Sequence, residues 1–106
     1  MENNRIKSLL SFLEEDPEDG FVRFALAKEY EKLGTLKKAI DTYLELKELD
    51  ADYVGLYYHL GGIYEVLNEK DNALKTYEQG IAVAKKIADF HSLSELHNAK
   101  MNLEVG

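Results

Sequence analysis

The chain has no cysteine, one proline among its 106 residues, and fewer basic than acidic side chains, 13 against 20. Without cysteine there are no disulfide staples and no thiolate metal sites, which fits a reducing, cytoplasmic setting. A single proline leaves long stretches free to be helical, and the abundance of Leu, Ala, Glu and Lys favours that state because these side chains lose little rotamer freedom in it. The formal net charge of −7 argues against nucleic acid, whose phosphates call for clustered Lys and Arg, and against anionic lipid surfaces. The start, Met1-Glu2-Asn3-Asn4-Arg5, is polar. No signal-like apolar region or membrane-spanning run of about 20 residues follows.

What is present is a folding composition, 45% hydrophobic and 31% charged, in a length suited to one domain. The residues repeat. A shift of 34 positions places Leu26 on Leu60, Tyr30 on Tyr64, Glu31 on Glu65 and Leu33 on Leu67. Ala39 then falls on Ala73, Thr42 on Thr76 and Tyr43 on Tyr77, with Ala27 matched by the equally small Gly61. A fixed period of this size signals stacked supersecondary units.

Each unit reads as two helices joined by a short turn. One helix opens at Asp16-Pro17-Glu18-Asp19, where Asp caps, Pro suits the first helical position and acids complement the positive helix end; it stops near Gly34. A second follows Thr35 to about Leu49. Asp52 is expected to cap a third that runs to about Leu67, and Asp71 a fourth that continues past Ala84. At about 100° per residue, Val22, Leu26, Tyr30 and Leu33 share one stripe, as do Leu56, Leu60, Tyr64 and Leu67, and both stripes are expected to be core. Small residues at Ala27, Gly61, Ala39 and Ala73 let helices approach, and the tyrosines at 30, 43, 64 and 77 fill the space between them.

This pattern resembles the tetratricopeptide repeat family, whose 34-residue unit carries Leu, Gly or Ala, Tyr, then Ala, aromatic, Ala and Pro at fixed offsets. The resemblance covers two full repeats, 20–53 and 54–87. Departures are Arg23 or Tyr57 at the tryptophan-like position, Leu46 or Gly80 at the late alanine, and Ala51 or Lys85 at the closing proline. Extended backwards, the frame makes residues 4–15 the second helix of an earlier repeat, with Ile6, Leu9, Phe12 and Leu13 inward. Forwards it fails, and Ser92-Leu93-Ser94-Glu95 reads as a capping box opening a terminal helix within 89–104, with Leu93, Leu96 and Leu103 on one stripe. That helix is expected to cap the apolar end of the array. The resemblance implies an all-α fold of about six antiparallel helices in a short right-handed superhelix, like short stand-alone bacterial repeat proteins.

It also implies a protein–protein scaffold. The first helix of each repeat lines a concave groove that holds a peptide or helix of another protein, here with Phe21, Phe24, Lys28 and Glu31, then Gly55, Tyr58, His59, Gly62 and Glu65. Phe24 and Tyr58 occupy equivalent repeat positions. For Phe21 and Phe24 the alternative is packing beneath the first helix against Leu9, Phe12 and Leu13. For Gly62 it is a close helix contact rather than an open slot beside Tyr58. The Lys, Asn and Arg clamp by which some relatives grip chaperone C-termini is replaced by Phe24, Lys28 and His59, so that ligand is not expected. Self-association as a homodimer is the alternative function.

No catalytic, metal or cofactor constellation is legible. His91 and His97 are six apart and face different ways, unlike the four-residue spacing that lets two histidines share a metal. Gly55, Gly61 and Gly62 lie inside a helix and not in a phosphate loop. The run Glu14-Glu15-Asp16-Pro17-Glu18-Asp19 lacks the ligand spacing and central glycine of a calcium loop.

Overall fold

Helix starts and stops recur at the spacing the sequence repeats. The computed structural model describes residues 3–106; Met1 and Glu2, part of the polar start, lie outside the described residues. Six helices follow in order, α1 Asn4–Glu15, α2 Gly20–Lys32, α3 Leu36–Leu49, α4 Gly55–Val66, α5 Lys70–Ile87 and α6 Phe90–Val105. Among the described residues there is no strand. The helices form two units, Met1–Asp50 with α1 to α3 and Ala51–Gly106 with α4 to α6.

Both pairs end their first helix in the same way. Gly34 takes φ +78°, and Thr35 N–H reaches back to the Tyr30 carbonyl at 3.0 Å. At the matching position Asn68 takes φ 59°, and Glu69 N–H donates to the Tyr64 carbonyl at 2.8 Å. This left-handed stop closes the helix and turns the chain at once, which makes the next helix antiparallel. Asparagine is the residue best able to stand in for glycine there.

In the first unit, α1 and α2 bury Leu9, Leu13, Ala25 and Leu26, with Ile6, Val22 and Tyr30 around them. Against α3 the contact is made by small residues, Ala27 and Ala39, beside the fully buried Tyr43 and Leu46. Arg23 ties the pair together, its Nη1 donating to Glu45 Oε1 at 3.1 Å and its Nη2 to the Pro17 carbonyl at 2.6 Å. In the second unit α4, α5 and α6 all meet. The Tyr77 ring lies over Gly61, and the Tyr57 Cβ and the Leu96 methyls lie over Gly80, so at each glycine a neighbouring side chain occupies the volume of a Cβ.

Several sequence expectations are corrected. Asp19, not Asp16, caps α2, accepting from Val22 N–H at 3.1 Å, and Pro17 precedes the cap instead of opening the helix. Asp16 makes a local turn, accepting from Glu18 N–H at 3.3 Å. Asp52 does not cap α4, which starts after Val54 with no side-chain cap; both Asp52 oxygens accept from Lys86 Nζ, at 2.9 and 3.2 Å. Asp71 lies within the first turn of α5 and not at its cap. The Ser92 to Glu95 run is already helical, because Asp89 caps α6 by accepting from Ser92 N–H at 3.0 Å and from Ser92 Oγ at 2.9 Å. Phe12, Leu33 and Leu67 are exposed rather than core. Phe12 lies on the flank of the Leu9 and Leu13 row of α1, and the two leucines fall where the helix gives way to its left-handed stop.

Ala88 closes α5 in the left-handed region, φ 59° and ψ 37°. A Cβ there costs about 1–2 kcal/mol, part of which glycine returns through its freer unfolded chain. Ala88→Gly is therefore expected to stabilise the protein by about 0.5–1 kcal/mol, read as a higher urea midpoint with an unchanged slope.

Candidate functional site

In the first unit the relevant side chains sit on α2. Phe24 is half-buried, its ring 6.0 Å from that of Tyr43, and Lys28 Nζ lies 4.8 Å above the Phe24 ring. One turn on, Glu31 accepts from the Tyr43 hydroxyl at 2.8 Å. Phe24, Lys28, Glu31 and Tyr43 thus form one linked row. Phe21 is 73% exposed, so it is not packed beneath α1.

In the second unit α4 carries the equivalent set. Tyr58 is 45% exposed, and the His59 ring meets it edge-on at 5.9 Å. Gly62 follows on the same face, where a Cβ would meet no heavy atom within 4 Å. The close helix contact belongs to its neighbour Gly61, and Gly62 leaves open space. Glu65 accepts from the Tyr77 hydroxyl, as Glu31 does from Tyr43 34 positions earlier. Both glutamates read as groove residues therefore hold an internal tyrosine.

At the head of α4 the chain forms a cleft of about 180 Å³ lined by Val54, Gly55, Tyr58, His59, Ser92, Glu95 and Leu96. Sequence reasoning placed Gly55, Tyr58 and His59 at the site but missed the contribution of α6. The Ser92 and Glu95 pair had registered only as a helix-start signal. A cleft this small falls below the roughly 300–1,000 Å³ of small-molecule and cofactor sites, and its size suits one side chain. His91 Nε2 stands 3.7 Å from Glu95 Oε1, beyond hydrogen-bonding length.

Burial, then the hydrogen bond and charge of the paired glutamate, push the hydroxyls of Tyr43 and Tyr77 far above the usual tyrosine value. They are neutral donors at any ordinary pH. Because the folded-state value is raised, the stability these pairs contribute is complete below about pH 10, the unfolded value, and is lost as pH climbs above it. Thermal melts across the alkaline range are expected to show a steep loss above about pH 10. A Tyr43→Phe/Tyr77→Phe chain, lower in stability at neutral pH, is expected to lose less over the same range.

Antiparallel helix pairs that repeat at a fixed period, their first helices stopped by a left-handed residue at the same repeat position, define a helical-repeat protein. The tetratricopeptide repeat model matches residues 22–53 and 54–87, and the chain belongs to that family, whose domains are protein–protein interaction modules. It is similar to a tetratricopeptide repeat domain protein of Salinibacter ruber solved by NMR, at 49% identity and TM-score 0.80, covering 84% of this chain and 90% of that one. It is 37% identical over 73 residues to the TPR repeat-containing protein YpiA of Bacillus subtilis (strain 168), 69% of this chain and 16% of that protein. The chain thus spans about a sixth of that relative's length. The TPR2B domain of yeast Sti1, in its pHsp70 complex, shares the fold with TM-score 0.87 at 19% identity, covering 93% of this chain and 79% of that one. No helix among the described residues is long and apolar enough to cross a membrane.

Proposed function

We propose that the chain is a non-catalytic scaffold that holds a peptide or helix of another protein on the outward faces of α2 and α4. In this reading residues 4–15 complete an earlier repeat, 20–53 and 54–87 are the two full repeats, 89–104 are the cap, and the setting is cytoplasmic. The observation that carries the reading is Tyr58, a large ring left 45% exposed beside a cleft and above the open space at Gly62. Aromatic groups turned out from a well-filled core mark contact surfaces. Phe24 and Lys28 supply the corresponding stretch of α2.

The Sti1 domain's pHsp70 complex supports a polypeptide as the kind of occupant. Of the positions that would carry a clamp for a chaperone C-terminus only Lys28 is even partly suitable, since Phe24 and His59 stand at the others. Burying two or three aromatics yields about 1.5–3 kcal/mol each, against several kcal/mol of lost freedom. Affinity is therefore expected near micromolar, about −8 kcal/mol.

A lysate pull-down with the wild-type chain and a Phe24→Ala/Tyr58→Ala variant, matched by circular dichroism, tests this. A protein kept by the wild type and lost by the variant is the expected result. Equal retention by both chains contradicts the assignment of the face. Self-association is the second reading, favoured by the exposed Phe90, Met101 and Val105 on α6. It requires light scattering to report twice the monomer mass.

A further inference from the structure

The cleft at the head of α4 contains one formally ionised residue type, and it is acidic: Glu95, whose side chain is 49% exposed. No Lys or Arg lines it. The nearest lysine on α6, Lys100, is paired with Glu78 of α5 at 3.4 Å, and Lys86 of α5 is held by Asp52. One histidine, His59, lines the cleft, and His91 lies outside that lining, 3.7 Å from Glu95. A helix start often attracts anions, but here two of the first amides of α4 are already used. Leu56 N–H donates to the Tyr53 carbonyl and Tyr57 N–H to the Val54 carbonyl, each at 3.2 Å. The Ser92 hydroxyl is likewise engaged with Asp89. Anion donors are therefore few, while a carboxylate and the half-exposed Tyr58 border the same small volume.

We infer that this cleft accepts a single cationic side chain, lysine or arginine, from the bound polypeptide. The inference rests on the Tyr58 face being the binding face and adds the chemistry of what binds there. Glu95 supplies the charge-assisted acceptor, and the Tyr58 ring supplies the electron-rich face over which a guanidinium or ammonium settles. Leu96, 1% exposed, and Val54 give an apolar floor for the methylene stem. The net charge of −7 draws basic segments toward the chain at low salt.

A random-peptide display selection against the intact chain tests this, followed by fluorescence polarisation of the recovered peptides with wild type, Tyr58→Ala and Glu95→Gln. Glu95 is on the surface, and its replacement by the isosteric amide leaves the helix intact, as circular dichroism checks. The recovered peptides are expected to share one Lys or Arg position, to bind Glu95→Gln about tenfold more weakly, and to lose affinity as salt is raised. Peptides that need Tyr58 but bind Glu95→Gln as tightly as wild type, or that carry no basic residue, overturn the cation preference and leave the binding face standing. If no peptide depends on Tyr58, both fall together.

Discussion

Gly80→Val is expected to lower the stability of the second unit by about 3 kcal/mol, the upper part of the usual range for overpacking. A Cβ at residue 80 would stand 2.6 Å from Tyr57 Cβ and 3.0 and 3.1 Å from the two Leu96 methyls. The first of these cannot be relieved by rotating a flexible tip, because the atom it meets is attached directly to the α4 backbone. Valine would gain only about 0.5 kcal/mol over glycine in helix propensity, and that gain is smaller than the strain. Gly80→Ala gives the same sign with a smaller loss. Urea unfolding followed by circular dichroism reads both; an unchanged midpoint would mean that α4, α5 and α6 are not packed as described.

Tyr57→Ala is expected to cost more, about 3–5 kcal/mol, the range for deleting a buried aromatic. The ring is 1% exposed, and its hydroxyl donates to the Ala51 carbonyl at 2.6 Å, pinning the segment that leads into α4. Against a total stability of about 5–15 kcal/mol for a domain, this loss brings the second unit close to unfolding at ambient temperature. Tyr57→Phe separates the two contributions. It keeps the ring and gives up only the hydrogen bond, about 1 kcal/mol. If the alanine and phenylalanine variants were equally destabilised, the hydroxyl and not the packing would be the main contribution.

Much of this was legible because the repeat applies the same packing solution twice. Tyr43 and Tyr77, Ala39 and Ala73, and Ala27 and Gly61 could be paired from their spacing, and their burial follows from it. Helix starts were harder to place. An aspartate one to three residues before a helix has the same signature whether it caps, as Asp19 and Asp89 do, or pairs with a distant lysine, as Asp52 does. Glu31 and Glu65 were assigned to the partner face from their position, and local spacing cannot show that each is taken by a tyrosine of the following helix.

The part of the site that stayed hidden is tertiary. Ser92 and Glu95 reach the head of α4 only because α6 lies against both α4 and α5, and no period relates α6 to the repeats. The α6 sequence is also apolar on two sides. Leu93, Leu96 and Leu103 turn inward, while Phe90, Met101 and Val105 are exposed. A single hydrophobic stripe was read where two exist.

Site-specific photocrosslinking in cells, with a benzophenone side chain placed in turn at Phe24, Tyr58, Met101 and the exposed Ala82 of α5, tests the binding-face assignment most directly. The account predicts that the probes at Phe24 and Tyr58 capture the same polypeptide, and that Ala82 captures none. Adducts confined to Met101 and consisting of a second copy of this chain would contradict it and establish the α6 surface as the working interface.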